Sequence, residues 1–170
     1  MQRSLLIGCG NSRVKKVQVS ADERWIGELT TIDMDPNCGA DIVWDLEKHP
    51  LPFDDDTFDE LAAYDVLEHL GHQGDWRGWF NEMAEYHRIL KPNGTFGILV
   101  PEGGDALADP GHTRFFQQNY FAFLSQRCYR ENLAQGTTMT DYRWYWKLDF
   151  EIEHLQHHGG HHMSVILRKV

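Results

Sequence analysis

Four short apolar runs, each stopping at a glycine or an aspartate, limit what this chain can fold into more than any other feature. Residues 4–7 run into Gly8-Cys9-Gly10, and residues 29–32 into Asp33-Met34-Asp35-Pro36. Residues 42–44 end at Asp45, and residues 61–63 lead into Tyr64-Asp65. Apolar runs of this length bounded by turn-forming residues read as buried strands. A fifth run, residues 95–100, is stopped by Pro101. Between the fourth and fifth, Trp76, Trp79, Phe80, Met83, Tyr86, His87 and Leu90 recur at steps of three and four, which predicts an amphipathic helix over 76–90. Lys91-Pro92-Asn93-Gly94 ends it with a proline that cannot continue the helix and a glycine suited to positive φ. A second helix is predicted from 118 to 124 or beyond. Residues 150–155 and 164–170 read as the two strands of a hairpin around His157-His158-Gly159-Gly160-His161-His162.

Strands alternating with helices, then a closing hairpin, imply an α/β fold with a mainly parallel sheet, helices on both faces and a C-terminal antiparallel hairpin. A chain of 170 residues without repeats or a Ser/Pro linker is expected to form one domain over 1–170. No apolar run approaches the roughly 18 residues that a membrane span requires, and the first residues do not resemble a signal peptide, so a cytoplasmic location is expected. Cys9, Cys38 and Cys128 are odd in number and widely spaced, which suggests reduced thiols. The formal charge of −10 disfavours nucleic acid as a partner.

In parallel sheets a ligand sits beyond the carboxyl ends of the strands, where the strand order reverses. Four strand ends here carry residues fit to hold a nucleoside. Gly8, Cys9, Gly10 and Asn11 offer bare backbone with free N–H donors. Asp33 could accept both hydroxyls of a ribose, and Asp45 an exocyclic amine. Tyr64 and Asp65 close the set.

In these pieces the chain resembles the class I S-adenosylmethionine-dependent methyltransferases, especially the small Rossmann-like enzymes in which a V-L-E-H motif follows the fourth strand. The matching residues are Leu5-Leu6-Ile7-Gly8-Cys9-Gly10-Asn11, Thr31-Ile32-Asp33-Met34-Asp35-Pro36, Asp41-Ile42-Val43-Trp44-Asp45-Leu46, Asp65-Val66-Leu67-Glu68-His69-Leu70 and Arg88-Ile89-Leu90-Lys91-Pro92-Asn93-Gly94, with the segment 51–60 between them. The resemblance implies S-adenosylmethionine as cofactor. Gly8 and Gly10, with Cys9 and Asn11, would face its methionine end. Asp33, beside Met34, would hold the ribose, and Asp45 with the Leu46 backbone would read the adenine. Tyr64 and Asp65 would line the methionine side. The family's usual helix between the glycine turn and the second strand is not evident in residues 11–28, where Lys15-Lys16-Val17-Gln18-Val19 lacks helical period, so a shortened helix or irregular loop is expected.

Other readings compete. Gly-x-Gly after a strand can be a plain turn, Asp35 before Pro36 a turn former, and Asp54-Asp55-Asp56 a solvated turn. His69 could cap or pack against the following segment, or touch the acceptor. His112 is the best candidate for a general base or acceptor ligand. The His-rich stretch invites a metal, but its expected place at a hairpin tip far from the cleft argues against one, and no metal is expected. Trp144 and Trp146 either pack beneath the sheet or meet a substrate. The acceptor is expected to be a small molecule. A cofactor-binding module without activity, and a methyltransferase acting on a protein or RNA partner, are the alternatives. A nicotinamide-dependent oxidoreductase is disfavoured because Gly8-Cys9-Gly10-Asn11-Ser12-Arg13 lacks a third glycine.

Overall fold

A computed structural model describes residues 1–18 and 24–170; Val19, in the segment read as irregular, lies outside the described residues. The strands β1 (Arg3–Ile7), β2 (Glu28–Asp33), β3 (Ile42–Val43), β4 (Phe58–Tyr64), β5 (Leu90–Pro101), β6 (Phe150–His158) and β7 (His162–Lys169) form one sheet in the order β3-β2-β1-β4-β5-β7-β6. The pairs from β3 to β5 are parallel, and β7 runs antiparallel to both β5 and β6. This is the mainly parallel sheet with a closing hairpin that the apolar runs imply.

Helix α1 (Trp76–Ile89) connects β4 to β5, as the period of its apolar residues predicts. Its first turn is held by Asp75, whose carboxylate accepts from the Gly78 N–H at 2.9 Å. The helix buries Trp79, Phe80, Met83, Tyr86 and Ile89 against Leu61, Phe96, Ile98 and Val165 of the sheet. The second predicted helix is two: α2 (Gln118–Ala122) and α3 (Gln126–Ala134), the latter capped by Ser125 accepting from Cys128 N–H. Trp146 lies in the same core, stacked on Phe80 and Phe150, whereas Trp144 remains exposed. At the end of α1 the left-handed residue is Asn93 (φ +63°), not the glycine beside it. Gly94 is required for space instead, since a Cβ there would come within 2.6 Å of the Leu90 side chain.

The two faces differ. All three α-helices contribute to the core on one face; the second helical layer that the sequence suggests is replaced, among the described residues, by loop. There Leu6, Ala62 and Tyr64 are covered by Val17, Cys38 and Trp25 from irregular segments. Beneath that cover lies a buried ion pair, Lys15 Nζ to Glu60 Oε1 at 2.8 Å, both side chains 1% exposed. The absence of a helical period between β1 and β2 thus has a structural counterpart. Among the described residues no helix is long and apolar enough to cross a membrane.

One core group makes stability depend on pH. Burial pushes the His87 imidazole down to about 4, with Lys169 adding to the effect, and its Nε2 meets no partner among the described residues. The folded state therefore holds this ring neutral while the unfolded chain takes up a proton below about 6.5. Stability is lost as pH falls from about 6.5 towards 4, by as much as about 3 kcal/mol from this group. Replacing His87 by Leu should flatten that acid limb when urea denaturation midpoints at pH 7 and 4.5 are compared.

Candidate functional site

The strand order reverses between β1 and β4, so the connections that leave their carboxyl ends diverge and open a crevice at that edge. The turn after β1 has positive φ at Gly8 (+61°) and Gly10 (+48°). The two glycines serve different ends. A Cβ on Gly8 would lie 2.2 Å from Val66 Cγ2, so this glycine admits the segment after β4. A Cβ on Gly10 would meet nothing within 4 Å, which leaves its backbone open to a ligand.

The N–H groups of Gly8, Cys9 and Gly10 are not free, contrary to the expectation from the sequence. Gly8 N–H and Cys9 N–H both donate to the Ile32 carbonyl, at 2.9 and 3.4 Å, and Gly10 N–H donates to Asp33 Oδ2 at 2.7 Å. Positive φ curls the chain back onto the end of β2, so the donors meet protein instead of solvent. The Cys9 thiol faces the loop-covered side with Cys38, and burial pushes it up to about 11. Cys9, Cys38 and Cys128 are all free. Asn11 is exposed beyond the turn.

Asp33 stands at the centre of this edge. Besides Gly10, it accepts from the Asp35 N–H at 2.9 Å, while Asp35 itself accepts from Asn37 N–H as a turn former. A carboxylate has about four acceptor sites, so Asp33 retains two. Met34 beside it is exposed. At the next strand end Asp45 is 40% exposed, with Oδ1 accepting from Glu47 N–H and Oδ2 3.7 Å from Lys48 Nζ. Leu46 turns its side chain into the core and offers only backbone.

Tyr64 and Asp65, expected to line the methionine side, are both engaged by the segment that follows β1. Tyr64 is buried on the loop-covered face with its hydroxyl 3.5 Å from the Val17 carbonyl, and burial pushes it up to about 12. Asp65, in the left-handed region (φ +54°), receives Lys16 Nζ at 2.7 Å on one oxygen and faces His162 Nε2 at 3.1 Å with the other. Lys16 therefore reaches across the mouth of the crevice, and the cavity left between Gly8, Ser12, Lys16 and Tyr64 is about 30 Å³.

The contact with His162 corrects the expected remoteness of the histidine-rich segment. Because β7 is antiparallel, it begins at the carboxyl edge, with His162 opposite Pro101 of β5. The hairpin tip accordingly meets the loop after β5: His157 Nδ1 is 2.7 Å from Glu102 Oε2, and His161 Nδ1 is 2.8 Å from Asp105 Oδ2.

Beyond Asp65 a short 3₁₀ turn (Leu67–His69) brings His69 and His112 together, with ring centroids 4.7 Å apart. Each ring is held by a backbone carbonyl: His69 Nδ1 by Gly111 at 3.1 Å and His112 Nδ1 by Ala106 at 3.0 Å. A carbonyl only accepts, so Nδ1 carries the proton and Nε2 is the free nitrogen in the neutral rings. Close to both lies Glu68, whose carboxyl burial pushes up to about 7. The sequence reading passed over Glu68, although a charged residue within Val66-Leu67-Glu68-His69-Leu70 was a signal. It also passed over Arg114, which is 1% exposed and pairs with the buried Glu82 at 2.9 Å. That pair floors a cavity of about 260 Å³ bounded by Leu46, Glu47, Gly71 and Asp75.

Comparison with known proteins shows the family and the fold. Residues 5–98 match the family described as methyltransferase domain. A search of curated proteins found no match. Among solved structures, the chain is similar to a TehB-like SAM-dependent methyltransferase from Corynebacterium glutamicum, with 16% identity, a TM-score of 0.59, and 99% of this chain and 80% of that one covered. It is similar to a SAM-dependent methyltransferase from Methanosarcina mazei, with 18% identity, a TM-score of 0.57, and 99% and 92% covered. A third is the 1,6-didemethyltoxoflavin-N1-methyltransferase of Burkholderia thailandensis, solved with 1,6-didemethyltoxoflavin and S-adenosylhomocysteine, with 16% identity, a TM-score of 0.56, and 99% and 71% covered. The chain belongs to the methyltransferase-domain family, and its sheet is that of the class I S-adenosylmethionine-dependent methyltransferases.

Proposed function

We propose that this protein is an S-adenosylmethionine-dependent methyltransferase that acts on a small molecule, with the cofactor held at the carboxyl ends of β1, β2 and β3. The observation that carries this reading is the placement of Asp33 and Asp45 at neighbouring strand ends beside the open backbone of Gly10. This set of acceptors fits an adenosine. Asp33 has two acceptor sites left for the ribose hydroxyls, and Asp45 with the Leu46 backbone can read the exocyclic amine and ring edge of the adenine. Gly8, Cys9 and Asn11 flank the methionine end with backbone, Met34 covers the ribose side, and Tyr64 and Asp65 form the far wall. Asp65 reaches the cofactor once Lys16 swings away, an exchange that costs little because an ion pair about a third exposed contributes roughly 0–1 kcal/mol.

When bound, the cofactor supplies a methyl group already activated on a sulfonium. The chain's own task is to orient the acceptor in line, exclude water and hold or remove a proton. His112 and His69 stand at the acceptor side of Asp65 with Nε2 free, suited to orient an acceptor or to take its proton. The acidic balance favours a small molecule over nucleic acid, and the Burkholderia neighbour is a methyltransferase solved with 1,6-didemethyltoxoflavin bound.

Titration calorimetry with S-adenosylmethionine, S-adenosylhomocysteine and NAD in parallel tests the reading. Binding of the two sulfur cofactors and not of NAD is expected; binding of NAD alone would overturn it.

A further inference from the structure

The cluster of Glu68, His69 and His112 has the composition and the spacing of a metal centre. One ligand atom from each lies within 4.8 Å of the others. An ion with bonds of about 2.1 Å needs its ligands roughly 3–4.2 Å apart, so the three close around it by side-chain movements under about an ångström. Glu68 is 1% exposed, and its Oε2 has no hydrogen-bond partner among the described residues. The nearest cationic candidate for its other oxygen, His112 Nε2, is 3.9 Å away, too far for a hydrogen bond. A buried carboxylate aimed at two imidazoles and meeting neither is an arrangement that a cation completes.

The surroundings are prepared in the way metal-bound histidines usually are. Both Nδ1 atoms are held by carbonyls, of Gly111 and Ala106, which fixes the rings and leaves Nε2 as the ligating nitrogen. The loop that carries His112 is tied to the 3₁₀ turn, because the Glu68 carbonyl accepts from the N–H groups of Thr113 and Arg114 at 2.9 and 3.1 Å. The three ligands thus stand on segments that are hydrogen-bonded to one another.

We propose that Glu68, His69 and His112 bind one divalent transition-metal ion of the manganese-to-zinc series, a site separate from that of the methyl donor. Two imidazoles favour such ions over magnesium or calcium, which prefer all-oxygen shells. Three protein ligands leave coordination positions open, and with both Nε2 atoms on the ion the two imidazoles orient the acceptor through it and do not take its proton. An oxygen or nitrogen of the methyl acceptor is the ligand to fill one of those positions, and this last step alone rests on the methyltransferase reading.

The test uses the full chain, purified without a nickel column and stripped with chelator, and titrated with cobalt(II) or zinc(II) alone. Calorimetry gives stoichiometry, and the visible bands of cobalt report its ligands. Stoichiometric binding is expected, weakened by at least roughly tenfold in Glu68→Gln and in His112→Ala. Circular dichroism and thermal unfolding of the metal-free variants separate lost ligation from lost folding. The double variant His157→Ala/His161→Ala should bind as the parent does. No binding near one equivalent would overturn the site. Binding untouched by Glu68→Gln and His112→Ala but lost in the double variant would also overturn it, since the ion would then sit on the hairpin. Because no cofactor or acceptor is present, failure here leaves the methyltransferase reading standing, and failure of that reading leaves the metal site standing.

Discussion

Replacing Arg114 by Ala should destabilise the protein by about 3–5 kcal/mol and lower the midpoint of thermal unfolding by roughly 6–20 °C. Arg114 is 1% exposed and its Nη1 donates to Glu82 Oε2 at 2.9 Å, so its removal strands a buried carboxylate. Its guanidinium also lies over the Trp79 ring, with Cζ 5.1 Å from the centroid, and that contact would be lost as well. Burial already drives the Glu82 carboxyl upward against the pull of Arg114. Without the arginine, Glu82 must fold protonated, and the deficit should therefore grow as pH rises through neutrality. The double variant Arg114→Met/Glu82→Leu should recover most of the loss, because a buried pair replaced by apolar groups of similar size is often neutral. Calorimetric unfolding of the three proteins checks both parts. A double variant as unstable as Arg114→Ala would show that the loss comes from the guanidinium's contact with Trp79 and not from a stranded carboxylate.

Asp33→Ala should weaken binding of S-adenosylmethionine by roughly 30- to 700-fold, the loss expected when hydrogen bonds to a charged acceptor worth about 2–4 kcal/mol are removed. Part of that loss is indirect. Asp33 also holds the Gly10 and Asp35 N–H groups, so its removal loosens the turn that forms the site. Asp33→Asn, which keeps one acceptor oxygen and most of the shape, should fall between parent and Ala. Calorimetric affinities of the three proteins for S-adenosylhomocysteine give the ranking.

Much of the architecture was legible in the residues. The first, second and fourth strands end where largely apolar runs meet Gly8, Asp33 and Tyr64-Asp65, because central parallel strands are buried on both faces and their exits need turn residues; the edge strand β3 stops at Val43, short of Asp45. The apolar stripe of α1 fixed its position almost to the residue. The same stripe contains Glu82, between Trp79 and Met83, which announces a buried charge but cannot name a partner 32 residues further on. Arg114 lies in a polar-looking loop, and arginine is seldom buried unless paired, so only the fold could show that the two meet.

Other features escaped because they depend on register and on backbone direction. The histidines around Gly159 read as a remote tip, since nothing local says that β7 starts at the carboxyl edge and brings His162 to Asp65. The glycine turn suggested free donors, but the direction of an N–H follows from φ and ψ, and these point the donors at Ile32 and Asp33. The left-handed position expected at Gly94 falls on Asn93 for a similar reason, and Gly94 is needed instead where a Cβ would strike the Leu90 side chain. The loop-covered face could be anticipated only as a missing helical period in residues 11–28; the buried Lys15–Glu60 pair beneath it could not.

A crystal structure determined with S-adenosylhomocysteine tests the central claim most directly. The proposed site predicts the ribose on Asp33, the adenine beside Asp45 and Leu46, and the homocysteine along Gly8, Gly10 and Asp65. An adenosyl group lodged elsewhere, for instance in the cavity floored by Arg114 and Glu82, with Asp33 making no contact to it, would contradict the account.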